Sequence, residues 1–383
     1  MENRVLKAKD FESNDNLPRK KQKNELLCYE LMHGDKKVAE INTRGEAVIL
    51  NEDFLPYDLY LEEEKDFDTL INNMNNFYHW CASRVLSLDR KYAKEILNSI
   101  GMAQAMTDRD RAKISLSYHC VSLTDIFWVR KNSEDISYEN INLYDNSLNE
   151  AVVALSLRGK PMTVTYQELA PDLSTKGCFP KAWIRREKDF ILLKDGGEEV
   201  VKKELLASRL CQCFDFKQVN YTEGFYDGHI VTESKIITSK QYSIVSKMAF
   251  EIYTLNHDLD VLDECLKIDK ETYYGMNILD YLVGNIDRHP ENWGVMVDNR
   301  TNDYISLYPI MDFNQSFGCY DTIDGANCQT VYPERKSQRE AAIEAVKNIG
   351  LHQIKDINED LFEDNLEWKE MFFRRLEELK PYI

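Results

Sequence analysis

The sequence predicts an α+β chain of two unequal lobes, a small β-rich one and a larger helical one, behind an N-terminal α/β extension. Three observations point there. Between about residues 160 and 236, short β-like runs are punctuated by Gly- and Asp-rich turns, with a single helical segment among them. From about residue 237 onward, apolar residues recur mainly at helical spacing. Before residue 160, a hairpin signature precedes a long helical pattern. The expected divisions are a flexible tail at 1–24, an α/β subdomain at 25–160, the small lobe at 161–236 and the helical lobe at 237–383. A junction between a small sheet and a helical body is a common place for a ligand.

The elements follow in order. Residues 1–24 are polar and charged, including the run Arg19-Lys20-Lys21-Gln22-Lys23, which suits a solvated tail and not a secretory signal. Residues 26–32 and 38–41 flank the turn His33-Gly34-Asp35, and 47–50 offers a third strand. Helical pattern runs from about 66 to 111, with Leu70, Met74, Phe77, Cys81 and Val85 in phase. Ser87 is positioned to cap a following helix that carries Tyr92, Ile96 and Ile100. Residues 122–130 come next; Phe77, Trp80 and Trp128 form an aromatic set, more often core than site. In the small lobe, strands are expected at 162–166, 183–186, 190–194, 218–222 and 229–236, with a polar loop at 171–177 and a helix at 200–214. The large lobe should hold helices at 243–256, 273–283, about 336–348 and 364–379, and a hairpin of 293–297 with 305–308.

Composition narrows the function. The net charge of −18 opposes a direct nucleic-acid surface, which must be basic, and opposes work at an anionic membrane. No stretch approaches the ~20 apolar residues of a membrane-spanning helix. Nine cysteines without paired C-x-x-C spacing suit reduced thiols in a cytoplasmic protein. His33, His79, His119, His229, His257 and His352 lack ligand-like spacing and suit structural or exposed positions.

Chemistry concentrates in Gly284-Asn285-Ile286-Asp287-Arg288-His289-Pro290-Glu291-Asn292 and, after the hairpin, Pro309-Ile310-Met311-Asp312-Phe313-Asn314. Phosphoryl transfer needs a carboxylate to orient the attacking hydroxyl, oxygen donors to hold Mg²⁺ on the nucleotide phosphates, and a cation on those phosphates. Asp287 and Asn292 have the Asp-x-x-x-x-Asn spacing of a kinase catalytic loop, and Asp312-Phe313 supplies a second carboxylate. A polar loop capping a helix would also be rich in Asn, Asp and His. It would not require this ordered set.

Asn285-x-Asp287-x-His289-x-x-Asn292 resembles the catalytic loop of HipA-like serine/threonine kinases, and Asp287-Arg288-His289-x-x-Asn292 resembles that of phosphatidylinositol 3- and 4-kinases. The resemblance implies a bilobal protein-kinase-like fold, with Asp287 as catalytic base and Asn292 and Asp312 as metal ligands. Asn314 departs from the Gly of ordinary kinases. Upstream, Ser174-Thr175-Lys176-Gly177-Cys178-Phe179-Pro180-Lys181 resembles the short phosphate loop of the same group, where a Gly and small hydroxyl residues let backbone N–H groups approach phosphate.

Lys194 ends an apolar run, where kinases carry their ATP-anchoring lysine, and Glu204 on the next helix could pair with it. The competing pair is Lys181 with Glu199. Adenine is expected along strand 229–236, near Val231 and Glu233. His289 should brace the catalytic loop beside the nucleotide, and Arg288 should position the loop or a phosphate. Ser174 is a candidate autophosphorylation site, where added negative charge would oppose ATP.

The expected function is an ATP- and Mg²⁺-dependent kinase acting on the Ser/Thr hydroxyl of a protein substrate. The resemblance implies a possible antitoxin-like protein partner. The alternatives are a lipid or small-molecule kinase, a nucleotidyl transferase on the same scaffold, and a pseudokinase binding module. The last predicts missing base or metal residues, whereas Asp287, Asn292 and Asp312 are all present.

Overall fold

A computed structural model of the chain describes residues 26–100, 107–145, 150–159, 170–171, 174–318, 322–331, 334–363 and 365–383. Three antiparallel sheets alternate with helices, so the mixed α/β character is borne out. The first sheet joins β1 (Cys28–His33), β2 (Lys36–Asn42), β3 (Ala47–Ile49) and β4 (Phe127–Lys131) in the order β3-β2-β1-β4. Its first turn needs Gly34, which adopts φ +55°. The second sheet has β5 (Lys181–Arg186), β6 (Asp189–Lys194), β7 (Thr222–Tyr226) and β8 (His229–Lys235) in the order β5-β6-β8-β7. Helix Glu198–Cys211 is inserted between β6 and β7 and buries Val201, Leu205 and Leu210, the face expected. The third sheet orders β9 (Tyr242–Ser246), β10 (Gly294–Asp298) and β11 (Asp303–Leu307) as β11-β10-β9.

Local signals explain where helices begin and end. Asp66 caps helix Phe67–Ser83 by accepting from the N–H groups of Asp68 and Thr69. Ser337 and Glu340 form a capping box at helix Gln338–Ile349. Helix Val261–Val283 stops at Gly284, whose left-handed φ of 64° releases the chain into the chemical segment. A non-helical Asp269 divides that helix, because its carboxylate accepts from Thr272 N and from Leu307 N on β11. The sequence pattern therefore marked only the part after the break.

Several expectations change. The helix expected from 243 begins at Lys247, because 242–246 pair with β10 as β9. Residues 127–131, which overlap the end of the 122–130 segment, are a strand of the first sheet. The strand expected at 218–222 lies later, at Thr222–Tyr226; Gln218 makes a single bridge to Ile310. Ser87 caps no helix, since the next one, Ala93–Ser99, starts after Tyr92. The strand expected at 162–166 and the tail at 1–24 lie outside the described residues. Phe77, Trp80 and Trp128 are core, as expected, although Trp80 also reaches a cavity wall. Among the described residues, no helix is long and apolar enough to cross a membrane.

Candidate active site

Helix Val261–Val283 carries a buried carboxylate, Asp280, inside the apolar run Ile278-Leu279-Asp280-Tyr281-Leu282-Val283. It receives two hydrogen bonds of 2.8 Å from Arg288, through Nε and Nη2, and one of 2.9 Å from Asn285 Nδ2. Arg288 then donates to the carbonyls of Asn292, at 3.1 Å, and of Met311. One buried guanidinium thus ties the Asp287–Asn292 loop to the segment after β11 that presents Asp312. Asn292 Nδ2 donates to Asp287 O at 2.9 Å, so Oδ1 is the atom of this side chain that could hold a cation.

Replacing Asp280 by Asn would set an amide donor against donors. We expect a loss of about 2 kcal/mol of stability, read from denaturant unfolding, because a buried group loses its partner.

The second sheet brings cations to meet these oxygens. Lys194 Nζ lies 2.9 Å from Glu204 Oε1 and also pairs with Asp312 Oδ1. Glu204 is fixed further by Thr232, whose hydroxyl donates at 2.8 Å. Burial alone would discharge Lys194; the carboxylates of Asp312 and Glu204 outweigh it and hold the ammonium charged. Burial would likewise protonate Asp312, but Lys194 and Lys181 hold it ionised below the usual carboxylate range. The Asp312 backbone sits at φ 64°, with its N–H donating to Tyr221 OH at 3.0 Å and its carboxylate accepting from Asn314 at 2.6 Å. Asn314 therefore has a local role at the position where ordinary kinases carry Gly.

Between the competing lysine–glutamate pairs, the geometry selects Lys194 with Glu204. Glu199 instead pairs with Lys203 on an exposed helix turn. Lys181 turns under the phosphate-type loop and donates to Lys176 O at 2.7 Å. Gly177 has φ +102°, a conformation that L side chains rarely adopt, and a Cβ there would lie 2.4 Å from Lys181 Nζ, so the end of the lysine would also have to shift. Burial first, then the charge of Lys194, depresses the Lys181 pKa to about 8. At the loop's outer side, Lys176 pairs with Glu291 at 3.1 Å, joining the two loops. Thr175 Oγ1 donates to Pro171 O at 2.6 Å and accepts from Trp183 Nε1 at 2.9 Å. Ser174 is buried, its hydroxyl 3.3 Å from the same carbonyl.

These parts surround one cavity of about 300 Å³, lined by Ser174, Thr175, Lys176, Gly177, Lys181, Lys194, His289, Asn292 and Asp312. His289 Nδ1 accepts from Glu291 N at 3.2 Å, the bracing contact expected of it. Asp287 is half-buried and is not among the lining residues, yet it lies within the electrostatic reach of His289, Asp312 and Lys194. Burial pushes its pKa above the usual carboxylate value, and Asp312 adds to the rise against the pull of His289.

Val231 and Glu233 are the exceptions. Pairing sets Lys194 opposite Thr232 and Leu192 opposite Ser234; Lys194, Leu192 and Ser234 line the cavity, and Thr232 reaches Glu204. Side chains alternate along a strand. Val231 therefore packs with Ala182, Ile191 and Leu193 on the other face, and Glu233 pairs with Arg186. The cavity meets this connection at Ser234–Thr238 instead. Asp280, Thr232 and Tyr221 were missed altogether. Only Asp280 left a signal, a lone carboxylate within an apolar run.

Comparison with known proteins adds a sequence relative and two structures. Serine/threonine-protein kinase CtkA of Helicobacter pylori is 26% identical over 143 residues, 33% of this chain and 43% of that protein. The match thus spans less than half of the relative's length. The crystal structure of an H. pylori proinflammatory kinase CtkA covers 53% of this chain and 90% of its own, with 16% identity and a TM-score of 0.38. HipA of Shewanella oneidensis MR-1, solved as a toxin–antitoxin system with HipB and operator DNA, covers 93% of this chain and 91% of its own, with 11% identity and a TM-score of 0.51. No family model matches the chain.

Proposed function

We propose, for a chain that is a relative of the HipA-like serine/threonine kinases, that it transfers the γ-phosphoryl group of ATP to a Ser/Thr hydroxyl of a protein in an Mg²⁺-dependent reaction. The observation that carries this is Lys194, buried between Glu204 and Asp312 in the cavity that also holds Asn292 and the Ser174–Lys181 loop. In this proposal residues 161–236 and 237–383 act as the small and large lobes of a kinase-like catalytic unit, behind the 25–160 extension. Lys194 anchors the phosphates, and Gly177 with its neighbours offers backbone N–H groups to them. Asp287 takes the proton of the attacking hydroxyl.

The donor set fits Mg²⁺. Among the described residues there is no cluster of three or more His, Cys, Asp or Glu for a metal. Asp312 and Asn292 instead provide two hard oxygen donors, and Mg²⁺ commonly takes one or two protein oxygens and completes its shell with phosphates and water. Bound there, the ion would neutralise charge on the phosphates. An antitoxin-like protein partner belongs to the same proposal, since the HipA structure includes HipB. The charge of −18 opposes direct contact between this chain and nucleic acid.

Intact-mass analysis after incubation with Mg-ATP and a protein acceptor tests the function. Addition of one phosphoryl mass is expected. Addition of an adenylyl mass, or none on any acceptor, would overturn it.

Lys181 gives a pH signature. In the free protein it loses its proton near pH 8. A bound phosphate would hold the proton on, so binding above pH 8 must take a proton up. Affinity for ATP should fall roughly tenfold per pH unit above 8. Lys181→Arg stays charged and should flatten that dependence in titration calorimetry between pH 7 and 9.5.

A further inference from the structure

The Ser174–Lys181 loop is gripped from behind by the N-terminal region. A turn in which Arg90 N donates to Ser87 O at 3.1 Å brings Asp89, Arg90 and Lys91 against it. Arg90 is only 2% exposed. Its Nη1 donates to Thr175 O at 3.3 Å, and its Nη2 donates to Lys181 O. Lys91 donates its N–H to Cys178 O at 3.0 Å, and the Cys178 thiol donates to Asp89 at 3.1 Å. The clamp is itself fixed, because Arg90 O accepts from Ala93 N at 2.9 Å where helix Ala93–Ser99 begins. Carbonyls of the loop at Thr175, Cys178 and Lys181 therefore all end on two adjacent residues far upstream.

Holding the carbonyls sets the donors. In a trans peptide the C=O and the following N–H point in opposite directions. Arg90 on Thr175 O thus turns the Lys176 N–H away from itself. Lys181 Nζ on Lys176 O does the same for the Gly177 N–H. Among the described residues, the N–H groups of Thr175, Lys176, Gly177 and Cys178 donate to no protein group. Thr175, Lys176 and Gly177 lie on the cavity wall, and successive N–H groups left open in this way make a concavity for an anion. The loop's tie to the large lobe, Lys176 with Glu291, is an exposed ion pair and holds geometry weakly. A lysine at 90 could not replace the clamp, because one ammonium lacks the planar fork that reaches two carbonyls at once.

We infer that Arg90 is a positioning residue for the nucleotide: its fork holds the Ser174–Lys181 loop in the shape that offers N–H groups to the phosphates. The inference rests on the kinase function proposed above. Arg90 does not line the cavity and acts only through the loop. The 25–160 extension thereby completes a phosphate site made of residues that lie outside it.

Titration calorimetry with Mg-ATP on the full chain compares wild type, Arg90→Met and Arg90→Lys. Affinity should fall about 10- to 10²-fold in both variants, the scale on which misplaced binding groups tell. In steady-state assays the loss should sit in KM for ATP more than in kcat, since the phosphates are held in ground and transition states alike. Hydrogen exchange separates a misplaced loop from a misfolded chain. Saturating Mg-ATP should slow exchange of the Thr175–Cys178 amides in wild type and far less in the variants, while β1 and β2 keep wild-type protection in all three. Wild-type affinity in Arg90→Lys would reduce the role to charge and overturn the inference. Faster exchange across β1 and β2 in the variants would overturn it too, by making Arg90 a residue of general stability. If wild type binds Mg-ATP and transfers phosphate while both variants match it, the positioning role alone is lost. If wild type binds no Mg-ATP, the kinase function beneath it is lost as well.

Discussion

Asp287→Asn is expected to lower kcat for phosphoryl transfer by about 10²- to 10⁴-fold, the range for losing a positioned proton acceptor. Melting temperature and ATP affinity should stay near wild type. Three features support that separation. Asp287 is half-buried and lies off the cavity lining, so nucleotide contacts do not depend on it. Its backbone carbonyl, not its carboxylate, accepts the Asn292 amide, so the loop keeps its shape in the variant. Its raised pKa, caused first by burial, makes it a better proton acceptor than an ordinary carboxylate. The same rise fixes the sign of the pH profile. Activity should fall as pH drops through a value above the ordinary ~3.9 of an aspartate, and Asp287→Asn should lack that limb. Single-turnover assays beside thermal melts would check both parts. Near-normal turnover in the variant would remove Asp287 from the mechanism.

Lys194→Met should be the most damaging change to both stability and nucleotide binding. The side chain is buried, and its ammonium separates two carboxylates, Glu204 and Asp312. Without it, two negative charges share a low-dielectric space. Breaking a buried pair by removing one partner costs about 3–5 kcal/mol. ATP affinity should fall with it, since the phosphates lose their anchoring cation. A double variant separates the two effects. Adding Glu204→Gln to Lys194→Met relieves the repulsion and should recover much of the unfolding free energy, while ATP affinity stays low. If the double variant binds ATP as wild type does, Lys194 is a structural cation only.

Much of the mixed α/β pattern was legible because turns and periodicity are local. The β1–β2 hairpin, helix Glu198–Cys211 and the β10–β11 hairpin all appear near their expected positions. Residues close in sequence were also easy to group: Asp287, Asn292 and Asp312 flank one hairpin. What failed depended on partners far along the chain. Residues 242–246 look helical until β10 offers them a ladder. Spacing could not choose between Lys194–Glu204 and Lys181–Glu199, because both place a strand lysine beside a helix glutamate. The choice lies in how β5 and β6 pair across the sheet. Val231 and Glu233 fall outside the cavity through strand parity, since alternate residues of β8 point to opposite faces. Tyr57, on the cavity wall, is fixed by Asn302, and no local pattern links residues so far apart.

Asp312 occupies a backbone conformation that L-residues visit uncommonly, at φ 64°. Glycine would rest there without steric cost, but would bring no carboxylate. Aspartate accepts such a conformation better than most residues, at an expense of order 1 kcal/mol. The arrangement around Lys194 is therefore not where the polypeptide would relax by itself. It is a slightly wound spring, kept taut by Tyr221, Asn314 and the lysine, and the protein is that much less robust for holding this carboxylate in place.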